Sequence, residues 1–281
     1  MRVVVVYNPA SGSAVSVAMI RKKCNQNGIV IEKVISIREG YERTLQPYIE
    51  KGATILAIGG DGTISSVAQL ALGTKATVAP LPGGTLNHFT KDLGIEQDLD
   101  KAIASLQYAQ THLVDVGVVN ERVFINNSSI GLYPSAVRER RRFENYTGKW
   151  LGTIIASVMA FVQFHSYTVT IKGETFRTPF VFIGNNTYTL DPAVTLRPRI
   201  NEGILSLFII KNASRFSLLK VALFALIGRE KIANEFEMHK VKEVTIKAAR
   251  RRIHVAHDGE IDMFNTPLTY HIEAKKLRVL A

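Results

Sequence analysis

The stretch ATILAIGGDGTISSVAQLA, residues 53–71, decides how the rest of the chain is read. Residues 54–58 are short, apolar and β-branched, as a buried strand requires. Residues 64–72 read as a helix. Between them lies a turn in which Gly59, Gly60 and Gly62 let the backbone come close to a ligand. Successive N–H groups at the start of a helix form a natural cradle for an anion such as phosphate. Yet the centre of this turn is Asp61, a carboxylate that should repel phosphate. Any reading of the chain has to give Asp61 a task.

The same texture extends on both sides. Further strands are expected at 3–7, 29–35 and 76–79, and further helices at 14–25 and about 41–51. Pro47 weakens the second of these helices, because a proline inside a helix removes a hydrogen bond. Buried strands alternating with helices imply a mostly parallel sheet covered on both faces, with ligands beyond the carboxyl ends of the strands. YNPASGS follows the first strand and LPGGTLNHF the fourth, so three glycine-bearing turns should share one sheet edge. After about residue 118 the texture changes to antiparallel strands with tight turns, as in SYTVTIKGETFRTPFVFIGNN and RIHVAHDGEI. Apolar helix candidates at 149–164 and 216–226 interrupt them. The expected organisation is an α/β domain over 1–118 and a mostly β domain from 119 to 273.

Bulk properties narrow the class. The chain has 281 residues, enough for one large domain or two medium ones, and its 46% hydrophobic and 21% charged content suits a folded soluble protein. A single cysteine, Cys24, excludes an internal disulfide and suits a reducing cytoplasm. The apolar run at 150–164 falls short of the roughly 18–20 residues that span a bilayer. Lys and Arg outnumber Asp and Glu by 35 to 24, a formal charge of +11 that favours anionic partners. A basic run at 137–150, VRERRRFENYTGKW, reads either as a solvated helix face or as a patch for anionic lipid. On lipid, each well-placed cation is worth about 1 kcal/mol.

The common nucleotide signatures do not fit. The chain has no GxxxxGK[ST] phosphate loop. A dinucleotide fingerprint fails because Ser65 stands at the third glycine position and the next strand ends in Pro80-Leu81-Pro82 rather than an acid.

NPASG, GGDGT, PLPGGTLNHF, DVG, FINNSSIGLY and HDGE occur in one order along nearly the whole chain. In this the sequence resembles the bacterial lipid kinases of the diacylglycerol kinase catalytic-domain family, to which sphingosine and ceramide kinases are more distantly related. GGDGT alone is shared with NAD kinases and 6-phosphofructokinases. The resemblance implies an α/β domain of the NAD kinase and phosphofructokinase type and a C-terminal β-sandwich. Residues 274–281 would return to the first domain, and nucleotide and substrate would meet in the cleft. It further implies transfer of the ATP γ-phosphate to a lipid hydroxyl with Mg2+, diacylglycerol being the default acceptor. Nucleotide contacts are expected at Asn8, Ser36, Gly59, Gly60, Asp61, Gly62, Thr63, Ile64, Ser65 and Thr85.

Within that resemblance, Glu260 of HDGE matches the general base, although Asp-Gly is also a common hairpin turn. Asp61 and Asp115 become magnesium partners, since Mg2+ keeps several waters and uses one or two carboxylates plus substrate phosphates. The roles of Asp61 and Glu260 could be exchanged. A structural metal would sit on INEGILS, held by Glu202 and the carbonyls of Arg199 and Ile204, with Ser206 where an acid is common; an ordinary turn is the competing reading. Two other departures stand out: the first loop is neutral until Arg21, and His88 replaces a frequent acid. The expected partner is lipid at the inner face of the membrane, visited transiently by a cytoplasmic protein. No nucleic acid is expected, and a homodimer is compatible with the sequence. Two rivals remain: a soluble small-molecule kinase of the NAD kinase type, and a non-catalytic lipid-binding regulator on the same scaffold.

Overall fold

Val3, Val4, Val5 and Val6 are all buried, so the first strand, β1 (Arg2–Tyr7), is covered on both faces. The computed structural model describes residues 1–9, 16–38, 40–131, 166–171, 173–188, 197–210 and 236–281. The helices expected at 149–164 and 216–226, the basic run at 137–150 and most of the YNPASGS turn lie outside the described residues. β1 is flanked by β2 (Val30–Ser36) and β3 (Thr54–Gly59), and β4 (Thr77–Pro82) continues the parallel order β2-β1-β3-β4. Pairing sets Tyr7 level with Ser36 and Ile58, and Gly59 level with Pro82. The turns after these strands therefore leave from one edge of the sheet.

Helices α1 (Val17–Gln26), α2 (Tyr41–Glu50) and α3 (Asp61–Ala71) connect these strands. Ser16 caps α1 by accepting the Met19 N–H at 3.2 Å. The helix expected at about 41–51 forms with Pro47 inside it, despite the lost hydrogen bond. Tyr41, Leu45 and Ile49 form a buried stripe at four-residue spacing, and that packing outweighs the missing backbone bond. The short α4 (His88–Asp92) and α5 (Leu99–Ser105) follow β4.

In the second half, β5 (Thr111–Val119), β6 (Arg122–Phe124), β8 (Tyr167–Ile171), β9 (Glu174–Thr178), β13 (Glu243–Ala248) and β16 (Leu268–Leu280) extend the first sheet to ten strands. Facing it is a six-stranded antiparallel sheet, in the order β12 (Phe236–Val241), β11 (Leu205–Ile210), β10 (Val181–Asn185), β7 (Asn127–Ile130), β14 (Arg252–His257), β15 (Glu260–Asn265). Phe124, Val169, Ile183, Leu207, Val255 and Tyr270 belong to one buried cluster drawn from both sheets, which makes this half a β-sandwich. The architecture is the expected α/β domain plus sandwich.

The two halves share more than a linker. β16 pairs with β13 near its start and with β4 at Arg278 and Val279, while β5 lies beside it at both ends. Its register shifts between Glu273 and Leu277, where Lys275 takes a positive φ of 54°. This continuous strand carries the sandwich on the same sheet as the α/β domain.

Candidate active site

The glycines of GGDGT and PGGT turn out to face each other. A Cβ on Gly84 would lie 2.4 Å from the Cα of Gly60, and one on Gly83 would lie 2.9 Å from the Cα of Gly59. The Gly83 N–H also donates to the Gly59 carbonyl at 3.0 Å. Close backbone approach, rather than positive φ, therefore requires these residues. Asn87 closes the second turn by accepting the Gly84 N–H at 2.9 Å and donating to its carbonyl at 3.0 Å. The amides of Gly83 and Gly84 are thus bonded within the protein, which corrects the picture of LPGGTLNHF as a third phosphate cradle.

Asp61 has a definite task in this arrangement. One of its oxygens accepts the His88 N–H at 3.0 Å and the other the Phe89 N–H at 2.9 Å. Asp61 thereby serves the first turn of α4, whose own cap residue, Asn87, makes no side-chain cap bond. It stands at the first position of α3, whose N-cap, Gly60, likewise makes no side-chain cap bond. The uncapped start of α3 keeps an anion-attracting end at the sheet edge. Each Asp61 oxygen retains a further lone pair.

The sandwich supplies the other wall. Asp258 and Gly259 both have positive φ, 45° and 86°, and form the two-residue turn of the β14–β15 hairpin. Hairpin and active-site readings of HDGE are therefore compatible, because the turn projects Glu260 towards α3. A Cβ on Gly62 would stand 2.5 Å from Oε1 of Glu260, so the carboxylate lies directly over the GGDGT turn. Asp258 itself is buried, and its carboxylate accepts the N–H groups of Ile125, Asn126 and Asn127 at 2.7, 2.8 and 3.3 Å. Burial pushes its pKa up to about 6; those amide bonds oppose the shift and the nearby Asp61 charge adds to it.

The other expected residues divide. Asn8 donates to Thr63 Oγ1 at 3.5 Å, which joins the first turn to α3. Ser36 ends β2 at the same edge, and its hydroxyl is buried with no hydrogen-bond partner among the described residues. Thr85 is exposed. Ile64 is fully buried, so its side chain serves the first domain's core, and its N–H donates to the Gly60 carbonyl at 3.1 Å. Ser65 donates to the Val123 carbonyl at 3.1 Å, and Gln69, one turn on, accepts the Val123 N–H at 2.8 Å. These two bonds fasten α3 to β6.

Asp115 is fully buried and its oxygens accept the N–H groups of Gly203 at 2.6 Å and Lys275 at 2.7 Å. That is a tie between β5, the 200–203 turn and the β16 irregularity, so this expected magnesium partner has a structural task within the fold. Residues of the expected structural metal set carry hydrogen bonds within the fold as well. Glu202 accepts the Thr187 N–H at 2.8 Å, and hydrogen bonding from Thr187 holds its carboxyl below the ordinary range. The Ile204 carbonyl takes the Asn186 N–H at 2.9 Å, and Ser206 donates to the Asn186 carbonyl at 2.8 Å. Protein donors thus engage one Glu202 oxygen and the Ile204 carbonyl among the groups assigned to the ion. No cluster of three or more His, Cys, Asp or Glu side chains suited to a metal occurs among the described residues.

Three residues that the sequence reading passed over lie in the seam: Asp258, Asn126 and Arg197. Asp258 was in view within HDGE, but its role as acceptor for three distant amides has no local signal. Arg197 and Asn126 are buried polar residues that bond each other across 71 positions of the chain.

A parallel sheet with a glycine turn at its edge, facing a sandwich that delivers a carboxylate onto that turn, defines a two-domain kinase. Residues 2–119 match the family described as diacylglycerol kinase catalytic domain, and residues 135–281 match the YegS C-terminal NAD kinase beta sandwich-like domain. A diacylglycerol kinase of Bacillus subtilis is 24% identical over 273 residues, covering 91% of this chain and 88% of that one. A Streptococcus pneumoniae protein with a lipid-kinase name is 28% identical over 239 residues, covering 83% of this chain and 80% of that one. The crystal structure of a diacylglycerol kinase from Bacillus anthracis has the same fold, with a TM-score of 0.68, 18% identity, and coverage of 99% of this chain and 96% of that one. The chain belongs to the bacterial diacylglycerol-kinase-like family of lipid kinases. It is a kinase, and no helix among its described residues is long and apolar enough to cross a membrane.

Proposed function

We propose that the protein transfers the γ-phosphoryl group of ATP to the hydroxyl of a membrane-derived lipid, with diacylglycerol as the acceptor. The observation that carries this is Glu260: the sandwich hairpin places its carboxylate over Gly62, at the turn where the sheet edge would receive the triphosphate. As the lipid oxygen attacks the γ-phosphorus, the bond to the β-phosphate oxygen breaks and Glu260 takes the hydroxyl proton.

The donor side fits a nucleotide. The uncapped start of α3, the Asn8–Thr63 contact and the buried hydroxyl of Ser36, unpartnered among the described residues, lie at the same strand ends. Asp61 is the carboxylate that would hold Mg2+, through the lone pairs its amide bonds leave and with water between. Magnesium, when bound with the nucleotide, supplies charge neutralisation on the transferred group. Visits to the inner membrane surface by an otherwise cytoplasmic protein complete the reading, since the acceptor has to be drawn from a bilayer.

The test is direct. Purified protein is incubated with labelled ATP, Mg2+ and vesicles containing diacylglycerol, ceramide or other lipid alcohols, with NAD and water as further acceptors. Label is expected in phosphatidic acid. Label confined to NADP supports the soluble-kinase rival, and tight lipid binding with no transfer supports the regulator.

A further inference from the structure

We propose that Arg197 is a positioning residue for this phosphoryl transfer: it ties α4, whose amides hold Asp61, to the 125–126 peptide, whose amides hold the hairpin of Glu260. The inference rests on the function proposed above.

The Arg197 and Asp92 side chains are only 5% and 2% exposed. The Arg197 Nε donates to one Asp92 oxygen at 2.6 Å, and its backbone N–H donates to the other at 2.8 Å. The rest of the guanidinium points the opposite way in function. Nη1 donates to the carbonyls of Ile125 at 2.8 Å and Asn185 at 3.3 Å, and Nη2 donates to the Asn126 side-chain oxygen at 3.0 Å. One planar group thus grips the α/β domain on one edge and the sandwich on the other.

What it grips on each side leads to the reaction centre. Asp92 ends α4, whose first two amides hold Asp61, the residue next to Gly62. Ile125 and Asn126 present their N–H groups to Asp258, two residues before Glu260. Glu260 in turn lies over Gly62. The contacts close a circuit: Gly62, Asp61, α4, Asp92, Arg197, the 125–126 peptide, Asp258, Glu260 and Gly62 again. Arg197 is the member that crosses the seam opposite the Glu260 contact, so releasing it frees the carboxylate to shift relative to the glycine turn.

Chemistry favours this over plain stabilisation. A buried ion pair is often no more stable than a well-packed apolar pair of similar volume, and its retention can reflect a demand for geometry. Lysine keeps the charge but concentrates its donors at one point, so it cannot bridge Asp92 and both acceptors of 125–126.

The test uses the full-length protein as Arg197→Lys and as the double variant Arg197→Met with Asp92→Leu. Thermal midpoint, kcat, KM for ATP and amide exchange at residues 125–127 are measured for each. Both variants are expected to fold with a lowered thermal midpoint, because buried acceptors at Ile125, Asn126 and Asn185 lose donors, while KM for ATP stays nearly unchanged. Their kcat should fall about 100-fold, the loss expected for roughly 1 Å of misplacement, and the 125–127 amides should exchange faster. Wild-type kcat in either folded variant overturns the proposal, and so does failure of both to fold, which would make Arg197 structural only. If the wild-type enzyme phosphorylates no lipid, the function reading fails by itself. The pin is then judged by exchange, and unchanged protection at 125–127 overturns it.

Discussion

Gly62 shows how much one missing methyl group decides. It is partly buried at the start of α3, and the space a side chain would take is filled by the Glu260 carboxylate. Gly62→Ala improves helix propensity by about 1 kcal/mol, so on local grounds it should be harmless or stabilising. Because its Cβ would displace Glu260, the expected outcome is a folded protein with a kcat reduced at least tenfold; steady-state kinetics beside a thermal melt checks this. Glu260→Gln keeps the shape but removes the base. Turnover should fall by about 100-fold or more, the range for general-base catalysis, while calorimetry shows ATP binding retained. Near-normal turnover in that variant would return the base to Asp61.

At the scale of elements, local preference and tertiary packing disagree in α2. Pro47 is exposed on that helix while Tyr41, Leu45 and Ile49 are buried beneath it. Pro47→Ala restores a backbone N–H and removes a ring clash without touching the packed stripe. Chemical denaturation should show a gain of about 1–3 kcal/mol with activity unchanged. The paired turns behave in the opposite way. Gly84 faces the Gly60 backbone rather than a flexible side chain, so Gly84→Ala has no cheap relaxation. The strands, the parallel class of their sheet and the Asp-Gly hairpin were legible in the sequence, because each follows from short-range patterns of apolar spacing and turn residues. That the Gly83 and Gly84 amides are consumed internally was not legible, because their partners come from another turn and from Asn87.

Across the whole molecule, the seam between α/β domain and sandwich is where pH should act. The Asp258 carboxyl, at about 6, holds its proton at pH values where the unfolded chain, near 3.8, has lost it. Its contribution to stability is therefore fully present below about pH 4 and lost as pH rises through about 6. Asp258→Asn removes this titration. The difference in melting temperature between wild type and variant should change between pH 4.5 and 7, with the wild type losing more on going up; a flat difference would place the carboxyl in a more solvated setting. Asp258→Asn also turns an amide group towards backbone donors, so a lower kcat accompanies it.

The sequence by itself determined the class of protein: a parallel sheet with glycine turns at one edge, a β-rich second half, and a carboxylate motif late in the chain. Those properties depend on neighbours within a few residues and on the order of motifs, and both survive in a linear string. Only the tertiary structure decided what the polar residues do. Asp61 looked misplaced in a phosphate turn because the two amides it serves lie 27 and 28 positions away. Asp115 serves the amides of Gly203 and Lys275, 88 and 160 positions on, a task that no local pattern announces. Arg197 carried no signal at all, since its ion pair with Asp92 spans 105 positions. A carboxylate or a guanidinium offers the same atoms to a cation, a substrate or a peptide group, and burial between two domains is what selects among them.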